Sequence, residues 1–521
     1  MNNLDVNPII LGGFLFTAFM LFVFMIHKSI KNPIIPYVML QLIFMWILVG
    51  QKFLSPVGLD FKPHATVFLL SLTTSGYFLI AKFKELWNYK PFRYLFIFFT
   101  ISTIYAFFYK TDFRSSSYID LWIQNNLGLR FSALRSGVET MGRDFGSSET
   151  KFLVYLAGLT PLCAFLTGFM AFWKKADIEE LRNNLYSLIS AISSGVFVYY
   201  ILLAVSVMIG HSSAIIMANR LLIDGGFAGG SFEAPFLMLM AAFYFILNTN
   251  YEKFKFYSVI KGIISANISV LALLIIMGIK KGTFLSLGIA LITAFIIIYV
   301  VKKLTGKSFI DEETSKKPTV KENNIIFHPV MFFIPLLLIA PIALIQSGMA
   351  EDLVYSITDR FSSSGTFDIR MINWNMYITH WLNNLDFFKV IFGFGIDTSR
   401  EATFFLTAMH PDPSFQQPHI HNLFLEMFYN YGLMALFFFL PFIFILRKSL
   451  KDLFVEPLKT EVKIFNVLSI SMMVYFFFFG MAESPSMIAM LIAFGLFGFF
   501  ESVRISMGHA GKLPYSSKLP F

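Results

Sequence analysis

A single cysteine, Cys163, in 521 residues excludes an intrachain disulfide and any metal cage built from cysteine. Charge is equally scarce: Asp, Glu, Lys and Arg make up 14% of the chain, where soluble domains carry about 25%. With 56% hydrophobic residues and 65 Phe, the chain has too little polar surface for a water-soluble fold. The same figures exclude intrinsic disorder and collagen-like repeats, and no tandem repeat at a fixed period is present. What is abundant instead is apolar sequence in long runs, and the chain reads as an all-α polytopic membrane protein.

Crossing a bilayer as a helix takes roughly 20 apolar residues. Thirteen runs approach that length: 9–27, 34–50, 64–81, 94–109, 152–173, 185–209, 232–248, 257–279, 283–301, 326–346, 422–446, 464–481 and 487–503. Two pairs, 257–279 with 283–301 and 464–481 with 487–503, are closely spaced, so the expectation is 12–13 transmembrane helices. If residues 28–33, 82–93, 174–184, 249–261, 302–325, 447–463 and the C-terminal tail face the cytoplasm, they hold 26 of the 41 Lys and Arg. That excess is the positive-inside signature, and it puts the N-terminus outside. The net charge of +9 then becomes an orientation signal, and no nucleic-acid partner is expected. No basic stretch precedes the first run and no small-residue cleavage site follows it, so it is expected to stay as a helix.

Four regions follow. Residues 1–210 hold the N-terminal helices and an external loop, 110–151. Residues 211–346 hold further helices, an external Arg/Gly loop and a cytoplasmic linker within 302–325. Residues 347–421 form a large external loop, and 422–521 the C-terminal helices and cytoplasmic tail. Loops beyond about 12–15 residues are usually functional or disordered, and the aromatics Tyr355, Phe361, Trp374, Tyr377, Trp381, Phe387 and Phe388 argue for order in the large one.

The spans also lack ionisable residues at their centres. Ion-coupled transporters carry such groups near the midplane; here the spans offer Ser, Thr and a few Asn such as Asn267 and Asn466. Ionisable residues collect at the outer ends, which favours a site at the external surface over a permeation path. They cluster in three places: Arg220 ahead of the glycine pairs Gly225-Gly226 and Gly229-Gly230, Lys280-Lys281-Gly282 in the turn before the ninth span, and Arg360 and Arg370 in the large loop. A cation beside a helix N-terminus is unfavourable unless an anion is shared with the free N–H groups. Arg220 and Lys281 therefore read as parts of an anion site, with the glycines letting backbone N–H groups approach a phosphate. Each also has a plainer role, since interfacial Arg and Lys snorkel to lipid headgroups.

His421-Asn422 open the eleventh span from outside. The positive helix end disfavours a protonated imidazole there, leaving a ring able to accept a proton, as a general base must. Asn422 and Glu426 are spaced i, i+4 on one face, so Glu426 is placed to hold a partner. A backbone-satisfied interfacial histidine is the plainer alternative. His419 and His421 lack the spacing of a helical zinc pair, so no metal is expected.

In chain order, the features are Arg220 to Gly226-Phe227, Lys281-Gly282, Asp368-Ile369-Arg370 with Trp374, Phe392-Gly393-Phe394-Gly395, and His421-Asn422-Leu423-Phe424-Leu425 with Gly432. This order over 215–445 resembles the O-antigen ligase/O-antigen polymerase family of bacterial envelope enzymes. One departure is visible: where that family commonly shows Ser-Arg-Gly, this chain has Lys280-Lys281-Gly282, and Lys cannot fork onto two phosphate oxygens as Arg does.

The resemblance implies a C-type glycosyltransferase-like fold in the bacterial inner membrane with its site facing the periplasm. It implies an undecaprenyl-diphosphate-linked glycan donor, no metal and no cofactor. The acceptor is another glycan or lipid A-core, and membrane lipids and a chain-length regulator are further partners. By resemblance His421 is the base, Arg220, Arg370 and Lys281 hold the diphosphate, and Asn422, Glu426, Trp374, Gly393 and Gly395 support them. The chain's length and its extra external loop favour a polymerase, with a ligase as the alternative reading. A transporter or flippase of a lipid-linked or anionic solute is the alternative from another class.

Overall fold

The computed structural model describes residues 79–80, 82–109, 159–172, 178–208, 233–249, 257–278, 281–305, 365–395, 420–455, 459–482 and 487–509. The runs 9–27, 34–50 and 326–346, most of 64–81, the loop 110–151, Arg220 with its glycine pairs, Lys280 and Arg360 lie outside these residues. The described residues form helices joined by turns, with no strand among them. In chain order they are α1 (Lys90–Tyr109), α2 (Thr160–Ala171), α3 (Ile178–Met208), α4 (Glu233–Thr249), α5 (Tyr257–Gly278), α6 (Lys281–Thr305), α7 (Gly365–Asn383) and α8 (Phe387–Phe392). Then come α9 (Leu423–Tyr431), a 3-10 turn (Gly432–Met434), α10 (Ala435–Val455), α11 (Thr460–Ala482) and α12 (Met487–His509). The protein is an all-α polytopic membrane protein.

Three helical stretches among the described residues are long and apolar enough to cross a bilayer: Gly282–Leu304, Leu423–Phe454 and Thr460–Ala482. Their burial divides the labour. Only 28% of the α6 window is buried, with Leu285, Ile292, Phe295 and Tyr299 all exposed, whereas 72% of the α11 window is buried. With no water at bilayer depth to penalise apolar exposure, α6 reads as a lipid-facing wall and α11 as the central post. Around that post α4, α6, α9, α10 and α12 all pack. The interior between α10, α11 and α12 is aromatic, with Phe442 in contact with Phe476, Phe477, Phe494 and Phe497.

Polar ties are few and placed. Asn267 on α5 donates to the Ser193 carbonyl of α3 at 2.8 Å, an interhelical bond of the kind that holds transmembrane helices together. At the starting end of α11, buried Glu461 pairs with Arg182 at 2.7 Å. At the closing end of α12, Arg504 bridges Glu501 at 2.8 Å and Asp452 at 2.9 Å, and the Tyr89 hydroxyl donates to Glu501. Arg182, Tyr89, Asp452 and Arg504 all belong to segments assigned to the cytoplasmic side by charge.

One expected span is broken. The run 422–446 divides at Gly432, where a positive φ of 54° interrupts the helix between α9 and α10. The cause is packing: a side chain at 432 would collide with the Val390 carbonyl and the Gly393 nitrogen at the end of α8. The stretch Leu423–Phe454 has 32 residues, so at 1.5 Å per residue it is about 48 Å long, against a hydrocarbon core of about 30 Å. The stretch is therefore longer than one crossing needs.

Candidate active site

Asn422 starts α9. Its Oδ1 accepts from the Phe424 and Leu425 backbone N–H groups at 3.0 and 3.1 Å, so the residue is the helix N-cap. Its Nδ2 reaches the Met481 carbonyl at 3.4 Å, and Leu423 seats against Gly480. His421, one residue earlier, is half-buried with φ of 55°, the one non-glycine in the left-handed region among the described residues. That conformation costs about 1–2 kcal/mol, and strain of this kind persists where the surroundings impose it. Here the preceding carbonyl, that of Ile420, accepts a 2.7 Å hydrogen bond from Trp374 Nε1, while Asn422 fixes the following residue as a cap.

Trp374 lies on α7, and the same helix carries Arg370. The Arg370 guanidinium donates through Nη1 to the Ala482 carbonyl at 2.6 Å. Ala482 ends α11, and a cation there complements the negative end of the helix dipole. Ala482 also meets α6: a Cβ on Gly282 would lie 3.2 Å from the Ala482 Cβ. The Lys281-Gly282 pair is thus the first turn of a helix and not a preceding turn, and that first turn holds no acidic residue. That helix start lies beside the C-terminal end of α11.

Three elements read from sequence as separate pieces therefore meet at the C-terminal end of α11: the start of α6, Arg370 on α7, and the Asn422 start of α9. Arg220 lies outside the described residues, as does the Lys281 side chain. Glu426 sits half-buried in the first acidic turn of α9, and its backbone N–H donates to the Asn422 carbonyl at 3.0 Å.

Gly393 and Gly395 form a second support. Asp386 caps α8 by accepting from Lys389 N at 2.8 Å, and Gly393, at φ of 73°, ends it. The Lys389 backbone N–H, then its side chain, holds the Asp386 carboxyl below the usual carboxylate value. Beyond α8 the chain turns against the end of α9, with Phe394 N donating to the Tyr429 carbonyl at 2.9 Å and Gly395 N to the Asn430 carbonyl at 3.0 Å. A side chain at 393 would strike the Asn430–Tyr431 backbone. Tyr105 on α1 ties this turn to the bundle by donating to the Gly393 carbonyl at 3.3 Å and stacking on Phe392.

Sequence reading missed the aromatic centre of the support. Phe394 stacks on Tyr429 with centroids 4.4 Å apart, Tyr377 lies 4.3 Å from Tyr429, and the Tyr429 hydroxyl and His380 Nδ1 are hydrogen-bonded at 3.1 Å. Burial, and then the charge of Lys389, lowers the His380 pKa below the usual imidazole value. The available signal was Trp374, Tyr377, His380 and Trp381 at i, i+3, i+6 and i+7, one helical face inside the loop.

Residues 266–440 match the family model described as O-antigen ligase. The match covers less than half of the chain and supports a likeness to the O-antigen ligase/polymerase family. The matched stretch runs from α5 into α10 and includes Lys281, Arg370, Trp374, Gly393, Gly395, His421, Asn422 and Glu426. The enzymes of that family are glycosyltransferase-like, and the match supports a function of the O-antigen ligase/polymerase type in general. Among curated proteins none matches the chain.

Proposed function

We propose that the chain is a surface-polysaccharide polymerase that works at the periplasmic face of the inner membrane. It moves a glycan from undecaprenyl diphosphate onto the sugar hydroxyl of a lipid-linked acceptor. The observation that carries this reading is the convergence of Arg370, the Lys281-Gly282 helix start and Asn422, the residue after His421, on the C-terminal end of α11.

The chemistry follows from that arrangement. His421 takes the proton of the acceptor hydroxyl as its oxygen bonds to the anomeric carbon of the donor glycan. The anomeric C–O bond to the diphosphate breaks, and undecaprenyl diphosphate leaves with the electron pair. Arg370, Lys281 and Arg220 meet the negative charge that develops on the leaving oxygens, a preplaced electrostatic contribution of several kcal/mol. In this reading the charge-stabilising cations are side chains. Asn422 and Trp374 hold the histidine from either side, and Glu426 faces the same helix start.

Deleting the gene and complementing it with wild type, H421A, R370A or R220A, then resolving the surface glycan on a gel, tests the assignment. The polymerase reading predicts core plus a single repeat in the deletion and in H421A. Bare core with accumulating lipid-linked polymer assigns the chain as a ligase instead, and single repeats trapped in the cytoplasmic leaflet assign it as a flippase.

A further inference from the structure

The external helix α7 grips the segment that carries His421 at two points. Trp374 Nε1 donates to the Ile420 carbonyl at 2.7 Å, immediately before the strained residue. His380 Nδ1 shares a 3.1 Å hydrogen bond with the hydroxyl of Tyr429, about two turns further along α9. On α7 the two gripping residues are six positions apart, a rise of about 9 Å, so the grips fix the direction of α9 as well as its place. A single contact leaves a helix free to pivot; two spaced contacts do not.

The second grip is built into the packing. Tyr429 is 1% exposed and lies between the rings of Tyr377 and Phe394. Its own carbonyl takes the Phe394 N–H. The ring of His380 is half-buried 6.1 Å from Phe394, with the Lys389 ammonium over the other ring at 5.2 Å. At the centre of this aromatic cluster a polar tie joins His380 to Tyr429.

We propose that His380 is a positioning residue for transfer, acting through the Tyr429 hydroxyl to hold α9 so that His421 keeps its left-handed conformation and its aim at the acceptor hydroxyl. This rests on the reading of His421 as the base. His380 touches no reacting atom in this scheme. Its loss lowers turnover and leaves donor binding unchanged, because Arg370, ten positions earlier on α7, keeps its own hydrogen bond to the Ala482 carbonyl.

The test uses the full chain in membranes, with undecaprenyl-diphosphate-linked glycan isolated from a strain lacking this gene as the donor. His380→Phe and Tyr429→Phe each remove the hydrogen bond and keep a ring. Each is expected to lower the transfer rate about tenfold, the scale of one buried hydrogen bond expressed in a barrier, at unchanged KM for the donor. The double variant is expected to lose no more than either alone. His380→Asn places an amide near the Nδ1 position and is expected to recover the rate to within about threefold, whereas His380→Gln, whose amide reaches the Nε2 position, is not.

Multiplying losses in the double variant, or equal rates in the Asn and Gln variants, overturn the proposal. If His380→Phe fails to accumulate, a wild-type rate in Tyr429→Phe overturns it on its own. A wild-type rate in His380→Phe beside an inactive His421→Ala rejects the positioning pair alone. A wild-type rate in His421→Ala rejects the underlying assignment of the base.

Discussion

The residues that matter most at this site are those whose backbone has little freedom. Gly393 and Gly432 press against each other's segments at positive φ, so Gly393→Ala adds left-handed strain of about 1–2 kcal/mol to a collision with the Asn430–Tyr431 backbone. The expected result is a loop that loses its protection from added protease. Gly288, with nothing within 4 Å of its Cβ position, is the contrast. Gly288→Ala is expected to leave protection unchanged, and equal behaviour of the two variants contradicts the packing argument. His380 gives the loop a pH dependence of definite sign. Its folded pKa is lowered, by burial first and Lys389 second, so its contribution is fully present above the ordinary value of about 6.5. It is lost as pH falls from there through the lowered folded value, because the unfolded chain takes up a proton that the folded cluster excludes. Loop proteolysis in wild type is expected to rise over that interval, with a weaker rise in His380→Asn; identical profiles contradict the sign or the group.

At the scale of elements, the apolar runs located most helices and polar ends extended them. The run 232–248 became Glu233–Thr249 and 257–279 became Tyr257–Gly278, whereas 464–481 grew to Thr460–Ala482 and 487–503 to Met487–His509. A helix does not stop where the hydrocarbon does, and Glu461 and Arg504 are accommodated in helices by ion-pair partners. The break at Gly432 was not legible, since glycine in an apolar run is tolerated and only the loop packed against it demands the turn. The site elements were legible as motifs, His421-Asn422 and Gly393-Phe394-Gly395 among them. Their meeting at Ala482 was not, because no spacing in sequence tells that Arg370 and Gly282 reach the end of a helix a hundred or more positions later. The cap on α9 makes its own prediction: Asn422→Ala is expected to cost about 1 kcal/mol and Asn422→Ser much less. Thermal unfolding of the purified chain measures both, and equal losses contradict the capping role.

Across the whole molecule, polarity runs along α11. Its first residues face the Arg182 pair and its last face Arg370 and Asn422, so the two ends of one buried helix separate an ion-paired end from the end that carries the proposed site. At the closing end of α12, Arg504 is held by Glu501 and Asp452. Removing one partner of such a buried pair leaves an uncompensated charge at about 3–5 kcal/mol. Arg504→Met is therefore expected to lower the yield of folded protein sharply, and Glu501→Gln with Arg504→Met to recover part of it; a neutral single variant contradicts the account. At the end of α11 that carries the proposed site stands the claim on which the functional reading depends, that His421 accepts the proton of the incoming hydroxyl. Membranes carrying equal amounts of the wild-type or His421→Ala chain, supplied with the lipid-linked glycan, measure it directly. The account predicts longer glycan and released undecaprenyl diphosphate from the wild type and neither from His421→Ala; transfer by His421→Ala at the wild-type rate would contradict it.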